Sequence, residues 1–350
     1  GLSLGELFWG IAIYVVITWG TVIHVLLHKR NSRAAFGWLG LVLVFPLAGA
    51  LLYLLFGVNR VQRKARRISQ ELGPVEEEWP EAGASRGGSG ISKPGYGVTG
   101  RHLVPGNEVG ILHNGEAAFP AMLEAIEGAK QEVLLSSYIF DRDETGLKFI
   151  AALQRARERG CRVCVLVDDA GSRYSFPTII RSLKQADLPY RRFMPFRFFP
   201  PSCSINLRTH RKILCCDRSV AFAGGMNIGD RQLVHGPSRH KAVDLHFRFE
   251  GSLTADFVHL FADDWKFAGG EDLDRSGFES RRQRVGDAEC RLVSDGPDEN
   301  LDALLLTLIG VMASARQRIW IMSPYFLPER QMMGCLQAAA LSGIDVRVLI

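Results

Sequence analysis

The stretch NLRTHRKILCCDRSVAFAGGMNIGD, residues 206–230, holds the most informative pattern in the chain. His210, Lys212 and Asp217 stand in it with the spacing HxKx4D, and after six further residues comes a GGxN sequence that ends at Asn227. KILCCD and SVAFAGG predict two short strands joined by a turn at Asp217. Side chains alternate along a strand, so this pattern would place His210 and Lys212 on one face of the first strand.

These residue types suit attack on a phosphate ester. A neutral imidazole can attack phosphorus or transfer a proton, and an ammonium two residues away supplies positive charge to the phosphoryl oxygens. The glycine pair that ends at Gly225 leaves room for backbone N–H groups and the Asn227 amide to bind another oxygen. Such chemistry needs neither a metal ion nor an organic cofactor. The structural alternative places His210 and Lys212 at a solvated strand end, and Asp217 and the glycines in ordinary turns.

The surrounding sequence predicts an α/β domain that occurs twice. FPAMLEAIEGAK and GLKFIAALQRARERG are amphipathic at helical spacing, whereas QEVLLSSYIF and CRVCVLVDD have the apolar runs of strands. The same order recurs near the end of the chain, where SPYFL at Ser323 matches SSYIF at Ser136, and GIDVRVLI matches GCRVCVLV. We interpret this as an internal duplication. Its second copy stops at Ile350, so we expect the chain to be a fragment.

Two apolar runs precede this domain. No formally charged side chain occurs from Leu7 to Leu27 or from Phe36 to Val58, and each run is long enough to cross about 30 Å of hydrocarbon as a helix. We therefore predict two transmembrane helices, in the second of which Pro46 would introduce a kink or mark a re-entrant hairpin. Three Lys and Arg residues lie between the runs and five follow the second. The positive-inside rule then favours a cytoplasmic N-terminus and a cytoplasmic domain after Val58.

Composition agrees with a folded protein of this kind. Of the 350 residues, 47% are hydrophobic and 23% are charged, and a net charge of +5 is too small to argue for nucleic-acid binding. The seven cysteines do not have the spacing of a disulfide framework, which indicates a reducing compartment. The CxxC at Cys161 and Cys164 lies in a predicted strand.

A stretch rich in Gly, Ser, Pro and Glu is predicted to be a flexible tether between the apolar runs and the α/β domain. We divide the chain into a membrane anchor (1–70), a flexible linker (71–106), a first domain (107–290) and the start of a second (291–350).

These features resemble the phospholipase D superfamily and, within it, the bacterial cardiolipin synthases. HxKx4Dx6GGxN matches the superfamily signature, and the sequences similar to cardiolipin synthases are the apolar runs, YIFDRDETG at Tyr138, DLHFRFEG at Asp244, FADDW at Phe261, SDGPD at Ser294 and SPYFLPE at Ser323. The resemblance implies a phospholipase D-like mixed sheet flanked by helices. It also implies a multi-pass protein of the bacterial inner membrane with a cytoplasmic catalytic domain. Its partners would be phosphatidylglycerol, cardiolipin and the lipid bilayer, with no nucleic acid.

The activity that the resemblance implies is transphosphatidylation, in which two phosphatidylglycerol molecules give cardiolipin and glycerol through a phosphohistidine. His210 would be the nucleophile, and Lys212 and Asn227 would bind the phosphate. Asp217 would hold the turn and balance the positive charge of the site. Asp244 is a candidate to orient the imidazole, with strand capping as the equal alternative.

Two departures from the family pattern keep other interpretations open. The 350 residues contain one HxKx4D motif where the family has two, so they would hold half an active site. Gly225 also stands where many superfamily members have serine. A hydrolytic phospholipase D, in which water takes the place of the lipid acceptor, is one alternative. A nuclease of the same superfamily is disfavoured by the apolar runs, and a catalytically silent membrane scaffold is the alternative from a different class.

Overall fold

The computed structural model of the chain describes residues 3–29, 32–58, 63–65, 67–68, 71, 90–196, 208–275, 284–294 and 302–350. The chain divides into two units. Of the described residues, those up to Arg63 together with Phe196 form the first, and those from Lys64 to Pro195 and from Arg208 to Ile350 form the second.

The elements are numbered in chain order. The helices are α1 (Leu4–His28), α2 (Ser32–Val44), α3 (Pro46–Leu52, continued by a π-helical turn at Tyr53–Gly57), α4 (Ser92–Thr99), α5 (Asn114–Gly128), α6 (Glu144–Glu158), α7 (Ile179–Gln185), α8 (Thr254–Phe267), α9 (Ala303–Ala313) and α10 (Arg330–Leu341). The strands are β1 (Val104–His113), β2 (Glu132–Ser137), β3 (Arg162–Asp168), β4 (Tyr190–Phe193), β5 (Ile213–Cys216), β6 (Val220–Gly224), β7 (Leu245–Glu250), β8 (Ala288–Cys290), β9 (Arg318–Met322) and β10 (Asp345–Leu349).

Eight strands form one mixed sheet in the order β4-β3-β2-β5-β6-β7-β1-β8. β2, β3 and β4 are parallel to one another, whereas β5, β6, β7 and β1 alternate in direction. β5 pairs antiparallel with β2, with Ser136 opposite Ile213. The carboxyl end of β2 therefore meets the amino end of β5, which decides where the residues just before β5 lie.

Helices cover both faces of this sheet, as strands with apolar residues on both faces require. On β3, Val163, Val165 and Val167 belong to one apolar cluster with residues of α5, α6 and α7. The intervening side chains point to the opposite face, where α8 packs with Phe261 and Trp265 fully buried. The expected mixed sheet flanked by helices is confirmed.

The two strands predicted around Asp217 are present as β5 and β6. Asp217 and Arg218 both have positive φ angles, 51° and 56°, which closes the tight turn between the strands. The expectation for His210 and Lys212 needs a correction, because β5 begins only at Ile213. Both residues precede the strand, and a tertiary contact rather than strand alternation sets their common orientation.

The helix and strand order predicted near the end of the chain is also present. α9, β9, α10 and β10 follow one another, and β9 and β10 form a separate parallel pair. Their apolar cluster includes the buried residues Met312, Ile319, Leu336 and Ala339.

The segment expected to be a flexible linker, 71–106, lies outside the described residues at 72–89. In its described part, α4 occupies Ser92–Thr99 and β1 begins at Val104. Arg291 Nη1 donates a hydrogen bond of 2.8 Å to the Ser92 carbonyl. This helix is therefore held by a contact from a residue 199 positions away in the chain, which composition alone does not reveal.

One of the two CxxC cysteines is a strand residue, as predicted. Cys164 lies within β3, Cys161 precedes it, and both are buried free thiols. Burial raises the pKa of the Cys164 thiol to about 12, so it stays protonated and unreactive at neutral pH.

The two apolar runs differ in structure. α1 has 25 residues, about 37 Å of helix, and within the described chain it is the one helix long and apolar enough to cross a membrane. The second run is interrupted at Phe45 and forms the shorter helices α2 and α3. A second transmembrane helix is therefore not confirmed, and the structure breaks the run at Pro46, where the sequence indicated a kink.

Candidate active site

The residues of the HxKx4D and GGxN patterns meet at one edge of the sheet. β5 and β7 run opposite to β2 and β3. The residues that precede β5 and β7 therefore lie at the same edge as the residues that follow β2 and β3. The side chains at this edge are Tyr138 after β2, Asp168 at the end of β3, His210 and Lys212 before β5, Asn227 after β6 and Asp244 before β7.

Tyr138 holds the two residues proposed for catalysis. Its ring stacks on the imidazole of His210, with ring centroids 4.2 Å apart and an interplanar angle of 18°. Lys212 Nζ lies 5.3 Å from the centroid of the same ring and donates a hydrogen bond of 2.6 Å to the carbonyl of His210. The aromatic face therefore fixes the plane of the imidazole and keeps the ammonium beside it.

The electrostatic environment keeps the imidazole neutral. Partial desolvation and the positive charge of Lys212 lower the pKa of His210 below its ordinary value. His210 is nevertheless exposed at the surface. A neutral ring with access to solvent retains the lone pair that a nucleophile or a general base needs.

The ammonium of Lys212 is balanced by two carboxylates. Burial lowers the pKa of Lys212 to about 8, although the negative charges of Asp244 and Asp168 oppose this shift. Asp168 is fully buried, and its Oδ1 accepts hydrogen bonds from the N–H groups of Ala170 and Gly171 and from Arg208. Its Oδ2 is buried without a hydrogen-bond partner among the described residues. Lys212 thus stays largely charged at pH 7 in a place with little water.

The GGxN residues lie at the same edge of the sheet, after β6. Asn227 Oδ1 accepts a hydrogen bond of 3.0 Å from the Ile139 N–H, so the amide Nδ2 points away from that strand end and can serve as a donor. At Gly225 a Cβ atom would overlap the carboxylate of Asp244. A larger residue here would therefore require the Asp244 side chain to move.

The carboxylate of Asp244 lies next to Gly225. Its Oδ1 accepts a hydrogen bond of 2.8 Å from the Leu245 N–H, and among the hydrogen bonds of the described residues none joins it to His210. Its electrostatic effect falls on Lys212. The neighbouring His246 is buried, and burial together with Lys212 lowers its pKa to about 4. His246 is therefore a neutral residue behind the site.

Asp217, the last residue of HxKx4D, lies at the opposite end of β5. The strand between the two ends is about 13 Å long. Its carboxylate accepts hydrogen bonds from the N–H groups of Lys130, Gln131 and Glu132, at 2.7, 2.7 and 2.9 Å. These bonds attach the β5–β6 turn to the start of β2. Asp217 is thus placed to fix the register of β5 and not to touch a phosphate bound beside His210.

Comparisons with known proteins identify the family of the chain. A family model described as "Cardiolipin synthase, PLD-like domain" matches residues 122–241, and one described as "Phospholipase_D-nuclease N-terminal" matches residues 7–57. A cardiolipin synthase of Geobacillus thermodenitrificans is 31% identical over 367 residues, which cover 99% of this chain and 73% of that protein. The chain belongs to the cardiolipin synthase family. It is accordingly an enzyme of the phosphatidyltransferase class.

A second cardiolipin synthase matches over a similar share of both chains. Cardiolipin synthase A of Pseudomonas aeruginosa (strain LESB58) is 31% identical over 359 residues, covering 99% of this chain and 72% of that one. Among solved structures, phosphatidylserine synthase of Haemophilus influenzae Rd KW20 has a TM-score of 0.49 and 13% identity, and the match covers 69% of this chain and 60% of that chain. The segment that matches the cardiolipin synthase family model contains His210, Lys212, Asp217 and Asn227, and Asp244 lies three residues beyond it.

Sequence reasoning did not single out Tyr138 or Asp168 as site residues. A signal for the first was present, because the tyrosine recurs as Tyr325 when SSYIF is aligned with SPYFL. For Asp168 the sequence offered only an acidic residue at the end of a predicted strand.

Removing the Tyr138 ring should impair the site without unfolding it. We expect Tyr138→Leu to lower kcat/KM roughly tenfold, the size of one aromatic stacking contact, and Tyr138→Phe to retain most activity. In Tyr138→Leu the acid limb of the pH–rate profile should also move to higher pH, because His210 becomes better solvated and its pKa rises. Steady-state kinetics of the full-length protein from pH 5 to 10 would show this, and an unchanged acid limb in Tyr138→Leu would contradict it.

Removing the Asp217 carboxylate should act through stability. Asp217→Ala leaves three N–H groups at the start of β2 without their acceptor and should lower the free energy of unfolding by about 3 kcal/mol. Asp287→Ala is the matched control, since that side chain is fully exposed and its contact with Arg284 is 3.5 Å long. It should change stability by less than about 0.5 kcal/mol. Urea denaturation of both variants measures the difference, and equal midpoints would refute the structural role.

Proposed function

We propose that the chain transfers phosphatidyl groups between phospholipids, joining two phosphatidylglycerol molecules to give cardiolipin and glycerol, with His210 as the nucleophile. The observation that carries this proposal is the pairing of a neutral, exposed imidazole with an ammonium, both held against the ring of Tyr138. Membership of the cardiolipin synthase family supports phospholipids as the substrate class.

The proposed reaction has two steps. An imidazole nitrogen of His210 attacks the phosphorus of the first phosphatidylglycerol, the phosphorus–oxygen bond to glycerol breaks, and glycerol leaves with a proton. The free hydroxyl of the second phosphatidylglycerol then loses its proton, attacks the phosphohistidine and releases His210. The resemblance assigns the proton transfers to the histidine of a second HxKx4D motif, and these 350 residues contain one such motif.

The neighbouring groups have separate parts in this proposal. Lys212 and the Asn227 amide would bind the phosphoryl oxygens. Gly225, whose N–H donates a hydrogen bond of 3.1 Å to the Leu245 carbonyl, is assigned no contact with the phosphate. Asp244 and Asp168 would keep Lys212 protonated while the site is empty, and a bound phosphate would add further negative charge beside it. Asp217 would position β5, and we assign it no direct contact with substrate.

We also propose that the enzyme acts at the cytoplasmic face of a bacterial inner membrane. The long apolar helix α1 and the match of residues 7–57 to the N-terminal family model support membrane attachment. Hydrolysis by water in the second step is the nearest alternative, and its product would be phosphatidic acid.

The products decide between transfer and hydrolysis. Membranes that contain the full-length protein and labelled phosphatidylglycerol should form cardiolipin and glycerol. His210→Ala should abolish both products and also the acid-labile phosphoenzyme trapped by rapid quenching. His240→Ala is the matched control, because this exposed histidine belongs to the same domain and lies outside the proposed site. Phosphatidic acid as the main product would favour a hydrolase, and a phosphoenzyme that persists in His210→Ala would exclude His210 as the nucleophile.

The pH dependence should report both groups. Activity requires neutral His210, whose pKa is lowered, so the rate should fall only as the pH drops below about 6.5. It also requires protonated Lys212, so the rate should fall as the pH rises through about 8. Lys212→Arg keeps its charge at higher pH and should move the alkaline limb upward while the acid limb stays in place. An alkaline limb that is the same in both proteins would show that Lys212 is not the group that titrates.

A further inference from the structure

The second apolar run is too short in each of its parts to cross a membrane. α2 has 13 residues and the α3 helix with its π-turn has 12, which correspond to about 20 and 18 Å. The hydrocarbon layer is about 30 Å thick. Their relative direction therefore decides whether they cross it together or return to the side they entered from.

Contacts between the two parts show that they run antiparallel. Next to the break, a Cβ atom at Gly49 would lie 2.6 Å from the Leu41 carbonyl oxygen and 2.8 Å from the Cα atom of Val42, so the two backbones touch there. Further from the break, the rings of Trp38 and Tyr53 meet edge to face with centroids 5.4 Å apart. In one straight helix these two residues would be about 22 Å apart. The run is a helical hairpin.

The open end of this hairpin lies beside the carboxyl end of α1. Lys29 Nζ, just after α1, donates a hydrogen bond of 2.7 Å to the carbonyl of Gly57, and His24 Nδ1 lies 2.9 Å from the hydroxyl of Tyr53. The chain therefore enters and leaves the hairpin at the same end of α1.

The reversal suits an apolar environment. Phe45 N–H donates to the Leu41 carbonyl at 2.9 Å, the Phe45 carbonyl accepts from the Gly49 N–H at 2.5 Å, and Pro46 has no N–H to satisfy. The side chains exposed around it are apolar, namely those of Leu43, Val44, Phe45 and Leu47. A backbone whose polar groups are paired in this way is tolerated at membrane depth.

We propose that α1 crosses the membrane once and that residues 32–57 form a re-entrant hairpin that enters and leaves through the cytoplasmic face. All eight basic residues at or beside the open end of the hairpin then belong to one side of the membrane, namely Lys29, Arg30, Arg33, Arg60, Arg63, Lys64, Arg66 and Arg67. Two transmembrane helices would divide them three against five. The positive-inside rule is satisfied by a much wider margin, and it places the amino end of α1 on the outer side, opposite to the sequence-based expectation.

This topology has a consequence for the substrate. Basic residues on the cytoplasmic side would attract the anionic phospholipids of that leaflet. The inference rests on the proposed attachment to the membrane, and it is independent of the chemistry assigned to His210.

Cysteine labelling distinguishes the two topologies. Ser3→Cys, Ser32→Cys and Glu71→Cys variants of the full-length protein are treated with a membrane-impermeant maleimide in spheroplasts and again after permeabilisation, with the unmodified chain as background. We expect Ser3→Cys to be labelled from outside, and Ser32→Cys and Glu71→Cys only after permeabilisation. Two transmembrane helices predict the reverse for Ser3→Cys and Ser32→Cys, and that result would overturn the proposal, as would protection of all three positions.

Cross-linking tests the hairpin itself. The pair Trp38→Cys and Tyr53→Cys should form a disulfide under mild oxidation in membranes, whereas Ile11→Cys and Leu26→Cys, also 15 residues apart but within the continuous helix α1, should not. Failure of the first pair to cross-link at more than the level of the second would refute the hairpin. Carbonate extraction and the cardiolipin assay are run on the same membranes. Loss of membrane attachment or of product would count against the proposed function, whereas the labelling pattern counts for or against the topology.

Discussion

The antiparallel pairing of β5 with β2 is the constraint on which the candidate site depends. β2, β3 and β4 run in one direction, and β5 is the first strand beyond them to run in the other. This reversal brings the residues before β5 to the carboxyl ends of β2 and β3, where Tyr138 and Asp168 lie. Asp217 secures the pairing from the far end, because its carboxylate binds the N–H groups at the start of β2. The first and last residues of HxKx4D therefore lie at opposite ends of β5. The last one secures the strand pairing that brings the first one to the site.

Charge at the site is balanced between burial and neighbouring groups. Burial lowers the pKa of Lys212 to about 8, and the carboxylates of Asp168 and Asp244 oppose this shift. The resulting ammonium in turn helps to keep His210 and His246 neutral. The site thus combines the ammonium of Lys212 with an uncharged, exposed imidazole, which is the combination that attack on an anionic phosphodiester requires.

The N-terminal region shows how one break changes the meaning of an apolar run. A hydropathy profile depends only on the apolar character of consecutive residues. It is therefore the same for one straight helix and for two half-length helices that fold back on each other. Pro46 was visible in the sequence as a possible reversal, but the decision lies in the close approach at Gly49 and the ring contact between Trp38 and Tyr53. Such contacts depend on how the two halves pack and leave no periodic signal.

Local patterns in the sequence determined most of the secondary structure, including β5, β6 and the turn at Asp217, because apolar spacing and turn residues act over a few positions. They also placed His210, Lys212 and Asn227 in one motif. The tertiary structure alone decided that Tyr138 holds the imidazole, that Asp168 faces the ammonium, and that Asp217 stands apart from both. The first two relations join residues 72 and 44 positions apart through strand pairing, and pairing follows from the packing of the whole sheet rather than from any short stretch.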